Sequence, residues 1–284
     1  MAEIKIAGIM RAAAFSPNHI GNDSSIFNIV ADQLRKRGCE VNVYSEDQFI
    51  NNGVNEKIIV NMCREKRSIE RLQHLEDMGM LVINSGYGIE NCIRERMARI
   101  FIGSSIPYPE TIITDTDEAI RERLTKAGIT RCWIKRGDSH TMHNEDVTLV
   151  RHPEEAQEIL QEYFLRGIKR AVINRDIEGE MIKFYGILGT PFFYWLTTRS
   201  SSAIARKQPA TFDESRLKAL CSAAAEILDV KIYGGDCVLS HDGKMRIIDF
   251  DDWPSFAPCR QEAATNIAKF VMSSVKAWNS NSRR

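Results

Sequence analysis

Apolar and polar positions alternate along this chain in two rhythms. Short apolar runs at Ile4 to Ile9, Val41 to Tyr44, Ile58 to Asn61 and Leu81 to Asn84 predict strands. Between them, Ser24 to Arg37 places Ile26, Ile29, Val30 and Leu34 at helical spacing and stops at Gly38, and Arg67 to Met78 predicts a second helix. Strand and helix in alternation predict a parallel sheet, which binds ligands at the carboxyl ends of its strands. That rule draws Arg11, His19, Asn22 and Arg64 toward one end of the first 88 residues as candidate substrate contacts, against the alternative of ordinary solvated loop residues. Phe15 to Asp23 reads as a polar loop.

The rest of the chain loses the strict alternation. Glu90 to Ile102, Asp115 to Ala127, Pro153 to Leu165, Asp213 to Leu228 and Arg260 to Trp278 predict helices, with Thr211 or Asp213 as an N-cap. Thr130 to Lys135, Val147 to Val150 and Phe192 to Thr197 predict strands, and a polar loop spans Arg136 to Asp146. Arg170 to Asn174 and Met181 to Leu188 read as a hairpin around Glu178-Gly179. Another hairpin ends in Asp249-Phe250-Asp251-Asp252-Trp253-Pro254. Residues two apart on a strand share a face, so Asp249 and Asp251 converge, and Asp236 reaches them from the partner strand. Three carboxylate oxygens suit a hard cation such as Mg²⁺. The competing reading is an acidic strand end entering a turn, and Asp252 is assigned to that turn.

Composition narrows the partners. The 284 residues carry 38 basic and 38 acidic side chains, and this neutrality argues against a general nucleic-acid binder. No apolar run approaches the ~20 residues that span a membrane. Seven scattered cysteines without CxxC spacing predict reduced thiols, no zinc site and a cytoplasmic protein. The apolar last helix would allow a homodimer, although an apolar helix face more often serves the core.

Taken in order, several segments resemble the ATP-grasp superfamily over nearly the whole chain. They are an N-terminal α/β unit, the step Ile106-Pro107-Tyr108-Pro109-Glu110-Thr111, the strand Trp133-Ile134-Lys135, the stretch Ala171 to Glu180, and Asp236, Asp249 and Asp251. The resemblance implies an ATP-grasp fold, α/β with an α+β nucleotide-binding part. It implies an N-terminal parallel-sheet domain (1–88), a central subdomain (89–178) and a C-terminal subdomain with the metal site (179–284). It implies ATP and one or two Mg²⁺ ions as cofactors, held by Asp236, Asp249 and Asp251. Lys135, Lys183 and Arg94 would meet phosphates, Arg94 or Arg96 standing where relatives carry lysine. The backbone of Val172, Ile173 and Asn174 would hold adenine. Lys183, Arg199 and His140 would serve the transfer itself.

The common chemistry of the family activates a carboxylate as an acyl phosphate and joins it to an amine, with a small molecule or peptide as substrate. The alternative is phosphoryl transfer to an alcohol, because Ser139-His140-Thr141-Met142 resembles an element of the ATP-grasp inositol polyphosphate kinases. Against it, a polyphosphate pocket needs dense positive charge, which a neutral chain does not supply.

Overall fold

A computed structural model describes residues 3–15, 20–139, 144–198 and 213–281. Three four-stranded sheets organise them.

The first sheet is parallel. It contains β1 (Ile4–Met10), β2 (Cys39–Ser45), β3 (Ile58–Asn61) and β4 (Leu81–Ile83) in the order β2-β1-β3-β4. Helices α1 (Ile20–Arg35), α2 (Glu46–Asn52), α3 (Lys66–Asp77) and α4 (Gly86–Asn91) connect it. Helix α1 starts at Ile20, so Asn22 and Asp23 lie in its first turn and not in the expected loop. Helix α2, seven residues long, has too short an apolar pattern to be predicted from the sequence. Ser45 and Gln48 close a capping box at its start, and its first residue, Glu46, is buried.

The predicted helix from Glu90 is two helices. Helix α4 stops at Asn91, and α5 (Arg94–Ile102) starts after a break at Cys92 and Ile93. The second sheet follows: β5 (Thr111–Asp115), β6 (Cys132–Arg136), β7 (Val147–Val150) and β8 (Arg170–Arg175), in the order β5-β8-β6-β7. Helices α6 (Arg121–Lys126) and α7 (Pro153–Leu165) cover it. Helix α6 is shorter than the segment predicted from Asp115.

The third sheet holds β9 (Gly179–Ile187), β10 (Phe193–Thr198), β11 (Ile232–Ser240) and β12 (Met245–Asp252), in the order β10-β9-β11-β12. Helix α8 (Glu214–Leu228) is capped by Asp213, whose side chain accepts from Ser215 and Arg216 N–H groups. Helix α9 (Arg260–Asn281) closes the chain.

One sequence expectation fails here. Strands β8 and β9 do not form a hairpin; they belong to different sheets, and Asp176 to Glu178 is the crossing between them. Each strand is paired on both sides elsewhere: β8 is flanked by β5 and β6, and β9 by β10 and β11.

The first and third sheets share one core. Ile6, Val60 and Ile83 from the first cluster with Ile187, Leu196 and Ile232 from the third, and Val271 and Val275 of α9 complete the cluster. A buried polar tie reinforces it. Asn84, with no exposed surface, donates Nδ2 to the Ile232 carbonyl at 2.8 Å and accepts from the Lys231 and Ile232 N–H groups at 3.1 and 2.8 Å.

Candidate functional site

The sequence periodicity of β12 conflicts with its acidic end. Met245 and Ile247 point into the core, and strict alternation would bury Asp249 and Asp251 with them. The structure resolves this with a β-bulge. Asp236 pairs with Asp249 but the next residue, Cys237, pairs with Ile247, so Ile248 is extra. Past the bulge, Phe250 and Asp252 take the buried phase, while Asp249 and Asp251 turn to the other face. The bulge also leaves the Ile248 carbonyl for a partner outside the sheet.

That partner is Lys135. Its ammonium, on a side chain buried at the end of β6, donates to the Ile248 carbonyl at 2.7 Å. Burial pushes Lys135 down to about 8, with Asp249 opposing and Arg94 adding to the fall. Arg94, 3% exposed, reaches from α5 to the Arg136 carbonyl at 3.1 Å and to Asp249 Oδ2 at 3.4 Å. The second sheet, through Lys135, and helix α5, through Arg94, thus each send a cation onto the edge of the third sheet.

A third cation comes from within that sheet. Lys183 on β9 stands across from Asp236 on β11, and Asp236 stands across from Asp249 on β12. Lys183 Nζ lies 3.3 Å from Asp236 Oδ1. The Asp236 carboxylate holds the lysine above its usual range. Asp236 is itself raised, because burial and the charges of Asp249 and Asp251 outweigh the lysine. Arg94, Lys135 and Lys183 are therefore interleaved with Asp236, Asp249 and Asp251.

Among the described residues, no three His, Cys, Asp or Glu side chains form a ready-made metal cluster. Asp236 and Asp249 are turned toward cations instead. The donor set nevertheless fits Mg²⁺: three carboxylates, all oxygen, with side chains 22%, 27% and 36% exposed and so reachable from solvent.

Asp252 ends β12 as the sequence reading placed it, but its side chain is buried, with 1% exposed. It lies 3.6 Å from Arg11 and 3.3 Å from Arg64, both from the N-terminal layer. Arg11 also pairs with Asp23 at 2.9 Å and donates to the Met62 and Trp253 carbonyls. Its donors are spent on holding the first sheet to β12, which leaves none of the three guanidinium nitrogens without a protein acceptor. Asn22 accepts from Arg260 at 2.7 Å and ties α1 to α9. Arg64 reaches both Asp252 and, at 3.6 Å, Asp251.

The adenine assignment also changes. Strand β8 is paired on both sides, so Val172, Ile173 and Asn174 commit their backbone groups to β5 and β6. The Asn174 side chain donates to Thr111 Oγ1 at 2.8 Å. Even Arg175 and Asp176 N–H groups are taken, by the Glu110 and Arg131 carbonyls. His19, His140 and Arg199 lie outside the described residues.

Sequence comparison is silent: no protein-family model and no curated protein matches this chain. Solved structures are not. The chain superposes on a D-alanine–D-alanine ligase from Bacillus anthracis complexed with ATP at TM-score 0.77 and 15% identity, covering 98% of this chain and 99% of that one. The chain has the ATP-grasp fold. A RimK-domain ATP-grasp protein from Sphaerobacter thermophilus gives TM-score 0.69 at 17% identity, covering 93% and 98%. The ATP-grasp ligase PsnB complexed with a minimal precursor gives 0.67 at 15%, covering 96% and 99%. At such identities the ATP-grasp likeness speaks for architecture, and chemistry has to be argued from side chains.

Proposed function

We propose that the protein is an ATP- and Mg²⁺-dependent ligase that activates a carboxylate as an acyl phosphate and joins it to an amine. The observation that carries this reading is the interleaved set of three cations and three carboxylates between the second and third sheets. Neither half suits an ordinary salt-bridge network: Lys135 is buried against a carbonyl, and Asp236 is held with two further carboxylates beside it. An Mg²⁺-nucleotide would satisfy both halves, the ion taking the carboxylates and the phosphates taking Arg94, Lys135 and Lys183.

When bound, the ion would screen the negative charge of the nucleotide phosphates. The chain's own residues supply the rest. Lys183 stands next to the carboxylates and would follow charge onto the transferred phosphoryl group. Arg94 and Lys135 would hold the phosphates that stay behind. The base would meet the chain after Asp176, at Ile177 and Glu178, where backbone pairing with β5 and β6 has ended. Arg64 is the substrate contact that the geometry favours, since Arg11 and Asn22 are engaged within the protein. His19, His140 and Arg199 stay in this proposal on the sequence resemblance alone. The acid and amine would be small molecules or a peptide, and the seven unpaired thiols fit a reducing compartment such as the cytoplasm.

Hydroxylamine trapping tests carboxylate activation. With Mg-ATP, a pool of carboxylic acids and hydroxylamine, the protein should form a hydroxamate and ADP in equal amounts. ADP formation without hydroxamate, and dependent on an alcohol, would replace the ligase reading with a kinase.

A further inference from the structure

A cavity of about 430 Å³ opens between the N-terminal layer and the loop after β6, with Arg64 in its lining. Its lining joins the apolar side chains of Ile69, Ile89 and Ile93 to Arg64, to Arg136 at the end of β6 and to Ser139 of that loop. Its carboxylates Glu70, Glu90 and Asp138 are paired with Lys66, Arg96 and Arg136, and Glu65 caps α3. At ~30 Å³ per water the space holds on the order of a dozen small groups, enough for an acid with a compact apolar body.

Arg64 is the one of these residues that is built for an anion. Its side chain is 10% exposed. Glu46, buried at the start of α2, accepts the Arg64 backbone N–H at 2.7 Å and so fixes where the side chain begins. A single nitrogen, Nη2, is divided between Asp252 at 3.3 Å and Asp251 at 3.6 Å, longer than the ~2.7–2.9 Å of a good charged hydrogen bond. Its Nε is buried and has no hydrogen-bond partner among the described residues. With that nitrogen closed off, what Arg64 offers the cavity is its charge, which two long contacts to Asp252 and Asp251 meet only in part and which an anion brought alongside would meet better.

The charges around Arg64 form a line: Asp23, Arg11, Asp252, Arg64, Asp251. The last of these is also a proposed metal ligand. A cation that takes the charge of Asp251 removes one of the two anions facing Arg64. The guanidinium then attracts an anion in the cavity more strongly, and by linkage that anion favours the cation in return.

We propose that Arg64 binds the carboxylate of an apolar acid in this cavity, and that Asp251 couples this binding to the Mg²⁺-nucleotide. The inference rests on the ligase reading of the cleft and adds the class of acid and the order of binding. An acid held there sits next to the metal strand, and it is held firmly only once the nucleotide is in place.

Calorimetry tests it with isovalerate and leucine as probes and leucinamide as the carboxylate-free control. Each is titrated into the protein alone and with Mg²⁺ and a non-hydrolysable ATP analogue. Both acids should bind, leucinamide should not, and the Mg²⁺-analogue should tighten the acids about tenfold. Asp251→Asn should produce a similar tightening with no nucleotide present, because it removes the same charge. Arg64→Ala and the cavity-filling Ile93→Phe should both abolish acid binding. The proposal is overturned if the acids do not bind, if leucinamide binds as well as leucine, or if Asp251→Asn leaves acid affinity unchanged. If the ATP analogue itself fails to bind, the ligase reading falls, while the nucleotide-free comparison of Asp251→Asn with the parent protein still decides the role of Arg64.

Discussion

Lys183 and Asp236 face each other across paired strands, with the ammonium 3.3 Å from a carboxylate oxygen. The lysine is 39% exposed, so the pair contributes little to stability once solvent screening is counted. In the proposed reading its role is to present charge to the nucleotide. Lys183→Ala should weaken Mg-ATP binding by roughly tenfold to a hundredfold while shifting the unfolding midpoint little. Calorimetry beside thermal denaturation checks this, and unchanged nucleotide affinity would remove Lys183 from the phosphate site.

Asp249 makes the sharper case, since the bulge at Ile248 exists in a place that turns it out of the core. Asp249→Asn keeps size and hydrogen bonding but loses the charge. The variant should fold as the parent does and lose Mg-ATP turnover by roughly a hundredfold or more. Circular dichroism and a coupled ADP assay read the two effects separately.

The pH dependence follows from Lys135. Its folded-state value of about 8 lies below the usual 10.5 of a lysine. Between those values the unfolded chain holds a proton that the folded chain has shed. Stability therefore rises with pH across that window, and Lys135 adds no slope below about 8, where both states are protonated. A bound phosphate restores the charge. At about pH 9, nucleotide binding should take up a proton, seen as an enthalpy that depends on the ionisation heat of the buffer. Lys135→Met should abolish that dependence.

Asp252 and Asn84 are structural counterparts to these groups. Asp252 is buried between two guanidinium groups, and Asp252→Asn should cost about 3–5 kcal/mol. Asp251→Asn, at a side chain 36% exposed, should cost about 1 kcal/mol or less. Asn84→Ala strips partners from the Ile232 carbonyl and from two N–H groups, for about 3 kcal/mol. Urea unfolding ranks the three, and an Asn84→Ala variant as stable as the parent would contradict the inter-sheet tie.

Much of this was legible in the sequence, and the failures share a cause. The parallel sheet, α7 and the pairing of Asp236 with Asp249 were readable because they depend on local periodicity and a short hairpin. The hairpin assigned to β8 and β9 was wrong because Glu178-Gly179 looks like a turn whether the next strand pairs back or crosses to another sheet. Adenine contacts were placed on Val172 to Asn174 because strand pairing on both edges of β8 leaves no mark in its sequence. The burial of Asp252 at the end of β12 was not legible because a bulge changes the phase of the residues after it, and no single residue type announces the bulge at Ile248. Arg11 and Arg64 were read as substrate contacts; that both face Asp252 was not legible, because Asp252 lies some 190 to 240 positions away in the chain. Asn84 carried no signal at all.

The most direct measurement is a Mg-ATP assay against pooled carboxylic acids and amines, with ADP and inorganic phosphate read independently. The account predicts equal amounts of ADP and free phosphate, released only when an acid and an amine are both present. ADP without free phosphate, the phosphoryl group remaining on an alcohol, would contradict it.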